Sequence, residues 1–410
     1  MKNRVFLAIL VTLLAASHLQ AGVDLLVISV LDRNIIRYDG ETGSLKGVFI
    51  PALTASPGWL TFGPDSNLYA TIHSRDEVLR FNGITGEFMD ILVGSGDGGL
   101  DGPADLVFGP DSNLYVVSNH NSNVLRYNGT TGAFINEFVP AYSGGLNCPV
   151  GLTFGPDSNL YVCSACTDEV LRYDGRTGDF DKPFVSAGAG GLDQPDGLMF
   201  GPDGNLYVCS AHTDEVLRYN GNTGEFIDVF VPTGSSGLDY PFGLTFGPDN
   251  MLYVAGNLSN NVVRSDGTTC EVFIAGVKEP TALVFFPELP LMVDIDIKPG
   301  SYPNAINLGS HGLVPVAILS DADFDATSVD PDTVELAGAS VEVKVKGKSN
   351  KYMAHKEDVD GDGLVDLVVQ VGTANLDPNT LQDGWAVLTA KTYEGQDIEG
   401  WDEITIVPPE

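Results

Sequence analysis

Short apolar runs alternate along this chain with polar turns rich in Gly, Pro, Asn and Asp, a pattern that predicts strands and tight turns. The pattern is periodic. Phe-Gly-Pro-Asp-x-Asn-Leu-Tyr begins at Phe62, Phe108, Phe154 and Phe200, and returns at Phe246 as Phe-Gly-Pro-Asp-Asn-Met-Leu-Tyr, each start 46 residues after the last. Val-Leu-Arg-Tyr and its variants place Arg80, Arg126, Arg172, Arg218 and Arg264 at the same step, with Ile35-Ile36-Arg37-Tyr38 as a further copy upstream. Each unit divides into four strands. Pro-x-Gly-Leu-Thr-Phe is strand a, Leu-Tyr-Val-Cys-Ser strand b and Glu-Val-Leu-Arg-Tyr strand c, and an Asn-Gly-x-Thr-Gly turn leads to strand d. A lone four-stranded sheet has two apolar faces and must stack on neighbours, so repeats of this length describe propeller blades.

The ends of the array predict how it closes. The copy at Leu25–Val30 is a strand b with no strand a before it, and Thr281-Ala282-Leu283-Val284-Phe285 is a strand a with nothing after it. Joining them completes a first blade and leaves no free sheet edge. The fold class expected is all-β: a six-bladed β-propeller over residues 22–287, followed by a small β-sandwich domain over 291–410. In the latter, Val293–Ile297 and Val341–Val345 alternate apolar and polar, and Val316–Leu319, Leu364–Val371, Ala386–Thr392 and Glu403–Val407 supply further strands.

Ahead of the repeats, Lys2 and Arg4 precede an apolar run from Val5 to Ala16 that ends near Ala21, the layout of a secretory signal peptide over residues 1–21. The run is too short for the ~20 residues of a membrane span. A secreted or periplasmic protein without membrane insertion is expected.

Charge narrows the partners. The chain carries 21 Lys plus Arg against 55 Asp plus Glu, a formal charge of −34, which repels phosphate backbones and argues against nucleic acid. From residue 291 onward there are 7 Lys, no Arg and 22 Asp plus Glu, and the loss of arginine together with the repeat marks the domain boundary.

The blades resemble the NHL-repeat family of six-bladed propellers. The unit near Pro195 matches its pattern best, through Gly197, Phe200, Asp203, Gly204, Asn205 and Tyr207. The resemblance implies the fold for residues 23–286 and leaves activity open, because relatives include lyases, lactonases and purely binding propellers. Gluconolactonase-like relatives use a carboxylate-rich channel metal. Here the third residue after the strand-b Tyr is Ile72, Ser118, Ser164, Ser210 or Gly256, so those carboxylates are absent.

Candidate binding residues are departures from the repeat where strand a enters the channel. The second residue after the strand-a proline is Trp59, Asp105, Gly151, Gly197, Gly243 or Ala282, and the first is Gly58, Ala104, Val150, Asp196, Phe242 or Thr281. Trp59, Asp105, Asp196 and Phe242 stand out, and drift at a tolerant position is the bland alternative. At the b-to-c corner, His120, Cys166 and His212 hold equivalent places on adjacent blades, with His73 close by. Imidazole and thiolate suit zinc, but corners one blade apart are too far from one another for a single ion. Antiparallel register across strands a and b makes Cys148 and Cys166 neighbours, a plausible disulfide in an oxidising compartment, while Cys163 and Cys209 read as small core residues. The arginines, with Glu77, Asp168-Glu169 and Asp214-Glu215 nearby, read as blade-to-blade salt bridges.

The sharpest chemical motif lies in the second domain. Asp358, Asp360, Asp362 and Asp366 occupy loop positions 1, 3, 5 and 9, with Gly363 at position 6 and the Leu364 carbonyl at position 7. That spacing wraps oxygen ligands around Ca²⁺, although Val369 at position 12 replaces the bidentate Glu of an EF-hand. A structural calcium ion is expected there. The cluster Asp321, Asp323, Asp325 lacks the glycine and reads as a turn before a short helix near Asp325. The function expected is non-catalytic recognition of an extracellular polysaccharide or protein at the channel mouth, by a monomer. The alternative is a divalent-cation-dependent lyase or lactonase-type hydrolase.

Overall fold

The computed structural model describes residues 23–286 and 291–407, apart from 309, 311, 323, 347–348, 378–380, 382–383 and 394. The segment expected to be a signal peptide, residues 1–21, lies outside the described residues. These form two compact units, one on each side of residues 287–290.

The first unit contains six four-stranded antiparallel sheets. In blade 4, strands a to d are Pro149–Phe154, Leu160–Ser164, Glu169–Tyr173 and Phe180–Val185. Blades 3 and 5 repeat this layout one period away, from Pro103–Phe108 and Pro195–Phe200. Blade 1 is closed by the far end of the repeat array. Leu283–Phe285 pairs with Leu25–Ser29, Val27 lying opposite Leu283 and Leu25 opposite Phe285. The a strands of successive blades touch in an unbroken ring, Leu283–Phe285 meeting both Pro241–Phe246 and Leu60–Phe62. The expected six-bladed propeller is therefore the observed fold.

The repeated phrase has a physical basis. In blade 4, Asp157 Oδ1 accepts from the Asn159 backbone amide at 3.1 Å, and Oδ2 accepts from Asn159 Nδ2 at 2.8 Å and the Tyr161 hydroxyl at 3.0 Å. One carboxylate thus fixes the a-to-b turn and satisfies a tyrosine in the core. The Tyr161 ring, 1% exposed, then meets Phe200 of the next blade edge-on at 4.9 Å, and Tyr253 makes the same contact with Phe285 at 5.0 Å across the closure. Such a pair contributes about 1 kcal/mol beyond its buried area.

The arginines differ from expectation. Arg172 faces Asp157 at 3.5 Å and pairs with Asp181, both in its own blade, and Arg218 and Arg264 do likewise. Strand-c arginines lie opposite strand d, so their acids come from that strand and from the a-to-b turn. Asp168 and Asp214 instead accept from the backbone amides of Gln194 and Tyr240, where the chain enters the next blade.

The second unit is a sandwich. One sheet runs Ile295–Ile297, Leu313–Ile318, Asp366–Gly372, Ala354–Glu357; the other centres on Trp385–Lys391 and Asp397–Val407. Val316, Val369, Leu388 and Ile398, drawn from both sheets, share one buried core. The turn expected near Asp325 is present, as a short 3₁₀ segment Ala326–Ser328 whose Thr327 amide is capped by Asp325 at 2.8 Å. Among the described residues, no helix is long and apolar enough to cross a membrane.

Candidate functional site

The channel mouth is built from the residues that enter each strand a and from the b-to-c corners beside them. The Asn119 and His120 amides donate to the carbonyls of Gly102 and Asp101, and Ala211 and His212 repeat this with Gln194 and Asp193. The position where gluconolactonase-like relatives carry acids holds buried serines: Ser118 Oγ accepts from the Asp101 amide at 3.0 Å, and Ser164 and Ser210 do the same for Asn147 and Asp193. These serines tie the entry to strand a onto strand b. They are scaffold.

The departures from the repeat divide into two kinds. Asp105, 4% exposed, accepts from the Leu106 amide at 2.6 Å and from the Leu152 amide of the next blade at 2.9 Å. Burial pushes its carboxyl well up, and the two amides oppose the shift. Asp105 thus bridges blades 3 and 4 with both oxygens engaged, and the ligand-binding role expected of it does not fit its position. The glycines at the same place on later blades lie against the neighbouring backbone. A Cβ on Gly151 would stand 2.3 Å from the Asp196 carbonyl oxygen, so strand a tolerates a side chain there only where the packing differs.

Asp196 is the other kind. It is 1% exposed, and its Oδ2 has no hydrogen-bond partner. Burial raises its pKa to about 7, only partly offset by the Gln194 side chain. Gln194 Nε2 also donates to the Tyr240 hydroxyl. Tyr240 begins a run of rings: it stacks on Phe242 at 6.5 Å, and Phe242 meets Trp59 at 5.5 Å. His212 approaches Tyr240 at 6.2 Å, with Nδ1 held by Asp193 at 3.0 Å. Trp59, Phe242 and Tyr240 are half-buried, and His212 is exposed.

His120 belongs to a separate cluster. Its Nδ1 lies 2.8 Å from Asp101, and its ring meets His73 edge-on at 5.0 Å. Burial and then the neighbouring His120 lower the pKa of His73. The structure does not bring His120, Cys166 and His212 together. Cys166 is bonded to Cys148, with Cα atoms 5.5 Å apart, which removes its thiolate from any metal set. The strands slip register between Pro149 and Leu152, so the two cysteines lie beyond a bulge where the straight register had placed them on a ladder. Cys163 and Cys209 are fully buried, and burial pushes both thiols well up.

Two mouth residues escaped the sequence reading. Gln194 and Tyr240 sit immediately before the strand-a proline, where the repeat also carries Gly102 and Cys148. That variability was the available signal, one position from those compared.

In the second unit, ligand atoms of Asp358, Asp360 and Asp366 lie within 4.8 Å of one another. Asp366 is buried and oriented by the Ser320 and Val359 amides, each at 2.8 Å. Asp358 Oδ1 accepts from the Gly361 amide at 2.8 Å. Asp362 falls outside the cluster and accepts from the Leu364 amide at 2.7 Å. The three clustered carboxylates can hold an ion. Among the described residues this is the one group of three or more His, Cys, Asp and Glu ligand atoms so placed.

Fold and mouth together define a β-propeller with an aromatic opening. Residues 19–256 match the SMP-30/gluconolactonase/LRE-like region, and the chain belongs to that family. No protein of curated function matches it. The nidogen/laminin complex contains a similar chain, 19% identical, with 65% of this chain and 99% of that one covered at a TM-score of 0.54. A catalytically inactive virginiamycin B lyase from Staphylococcus aureus with quinupristin is 16% identical over 66% of this chain and 94% of that one, at 0.48. A Xanthomonas campestris gluconolactonase is 21% identical over 58% and 80%, also at 0.48. The nidogen/laminin likeness speaks to the propeller fold alone.

Proposed function

We propose that this is an exported binding protein whose propeller mouth recognises an extracellular polysaccharide without transforming it. The observation that carries the reading is the run of rings Trp59, Phe242 and Tyr240, flanked by His212 and by the Gln194 amide beside the orphaned Asp196 oxygen. Aromatic faces cover the apolar sides of a sugar ring, and amide and imidazole groups bond its hydroxyls. A neutral glycan also suits a protein of formal charge −34 better than an anionic one. The second unit adds a calcium ion held by Asp358, Asp360 and Asp366, with a structural role. The disulfide supports an oxidising compartment.

The family description favours one competing reading, a lactonase-type hydrolase using a divalent cation. Binding to an immobilised panel of neutral glycans tests the proposal, with Trp59→Ala/Phe242→Ala as control. The reading expects glycan capture that the double variant weakens at least tenfold. Cation-dependent turnover of a lactone panel, lost in Asp196→Asn, would overturn it.

A further inference from the structure

The propeller holds a cavity of about 510 Å³ where blades 1 and 2 meet, lined by Phe49–Thr54 together with Leu79, Phe81, Phe88 and Ile91. The repeat itself shows how this space is filled elsewhere. Before blades 3, 4 and 5, the chain makes a Gly-rich 3₁₀ turn: Asp97–Gly99, Ser143–Gly145 and Ala189–Gly191. Gly98, Gly144 and Gly190 of these turns press on Phe134, Phe180 and Phe226 in strand d of the following blade, and a Cβ there would lie 2.1 Å from the ring. Carbonyls of the same turns accept from the hydroxyls of Tyr127, Tyr173 and Tyr219 at 2.7–2.9 Å.

Before blade 2 the turn is missing. Arg37 and Arg80 stand 43 residues apart where later copies stand 46 apart, and the three lost residues fall in the connection from Ile50 to Pro57. Phe88 is consequently 58% exposed, against 44%, 37% and 40% for its three counterparts. The position of the bonding tyrosine is Phe81, which has no hydroxyl to offer a turn. The junction of blades 6 and 1 is also short, but Val277, 1% exposed, fills it. At blade 2 the filling group and its hydrogen-bond donor are both absent.

We propose that this cavity is a binding site for an uncharged, hydrocarbon-rich small molecule, such as an aromatic or branched aliphatic compound. Its volume lies in the range of small-molecule sites, which are mostly apolar with a few placed polar groups. Here those groups are Arg75, paired with Glu77 at 3.2 Å and donating to Thr54 at 2.7 Å, together with Thr85 and Glu87. A docked peptide turn fits less well, because Phe81 cannot satisfy its carbonyl.

The test titrates the full chain with the uncharged fluorescent probe N-phenylnaphthylamine. Two variants accompany it: Ile91→Asp, which puts a charge on an exposed part of the lining, and a graft of residues 94–102 in place of 51–56 with Phe81→Tyr. Saturable one-to-one binding that weakens at least tenfold in Ile91→Asp, and likewise in the graft where its melting curve shows it folded, is the expected result. No saturable binding by the wild type, or equal binding in Ile91→Asp, overturns the proposal.

Discussion

The two ends of each blade treat their carboxylates differently. At the a-to-b turn, Asp157 and its counterparts recur every 46 residues, and Asp157 accepts from an asparagine and a tyrosine and faces an arginine. At the channel mouth, Asp196 occurs once, is buried, and leaves one oxygen unpartnered. The repeated carboxylate of this turn completes its bonding within its own blade. Asp105, also unrepeated and buried, has both oxygens met by backbone amides, whereas the unpartnered oxygen of Asp196 leaves a desolvation cost that its hydrogen bonds do not offset.

The strongest way to break this contrast is through pH. The folded-state pKa of Asp196, about 7, lies above the unfolded value of ~3.9. Between those values the folded state binds more protons, so this group's contribution to stability is fully present at low pH and lost as pH rises toward 7. A shift of this size corresponds to about 4 kcal/mol lost between pH 4 and pH 8. Urea melts of the wild type and Asp196→Asn across that range should show the variant with a flatter dependence and a relative advantage at pH 8. Parallel curves would mean that Asp196 is not desolvated and that the mouth resembles the turns.

Asp105→Ala comes next. It strands the Leu106 and Leu152 amides in the core, at about 3 kcal/mol for the pair. Thermal melting should register the loss while glycan capture by the folded variant stays unchanged, separating a blade-to-blade staple from a ligand contact.

The clustered carboxylates Asp358, Asp360 and Asp366, proposed above to hold calcium, extend the contrast to the second unit. A ligand at a hundredfold excess over its Kd stabilises the folded state by about 2.7 kcal/mol. Added calcium should raise the melting temperature of the sandwich, chelator should reverse this, and the exposed-site variant Asp360→Asn should abolish the response. An identical calcium response in Asp360→Asn would place the ion elsewhere.

The sequence exposed the fold almost completely, because the 46-residue step in Phe62 to Phe246 and the unmatched strands at Leu25 and Leu283 constrain each other. The clustering of Asp358, Asp360 and Asp366 was legible because local spacing sets local geometry, but Asp362, expected with them, falls outside the group. The mouth was legible only in part. Trp59, Asp196 and Phe242 stood out as departures, but that Asp105 serves packing depends on the Leu152 amide, 47 residues further on. The arginine pairs were misassigned because Asp168 and Asp214 are near in sequence, whereas the strand-d acids are near across the ladder.

The smallest expected effect is also the sharpest check on the turn end. Asp181 pairs with Arg172 at a site where its own side chain is 45% exposed, and Arg172 keeps Asp157 at 3.5 Å when that partner is removed. Solvent screening limits an exposed pair to under about 1 kcal/mol, and the remaining carboxylate limits it further. Asp181→Asn should therefore shift the urea midpoint barely beyond experimental error, and added salt should erase what remains. A loss as large as that of Asp105→Ala would show the outer ion pairs to be as indispensable as the buried staple, and the division between a saturated turn end and an unsatisfied mouth would fail.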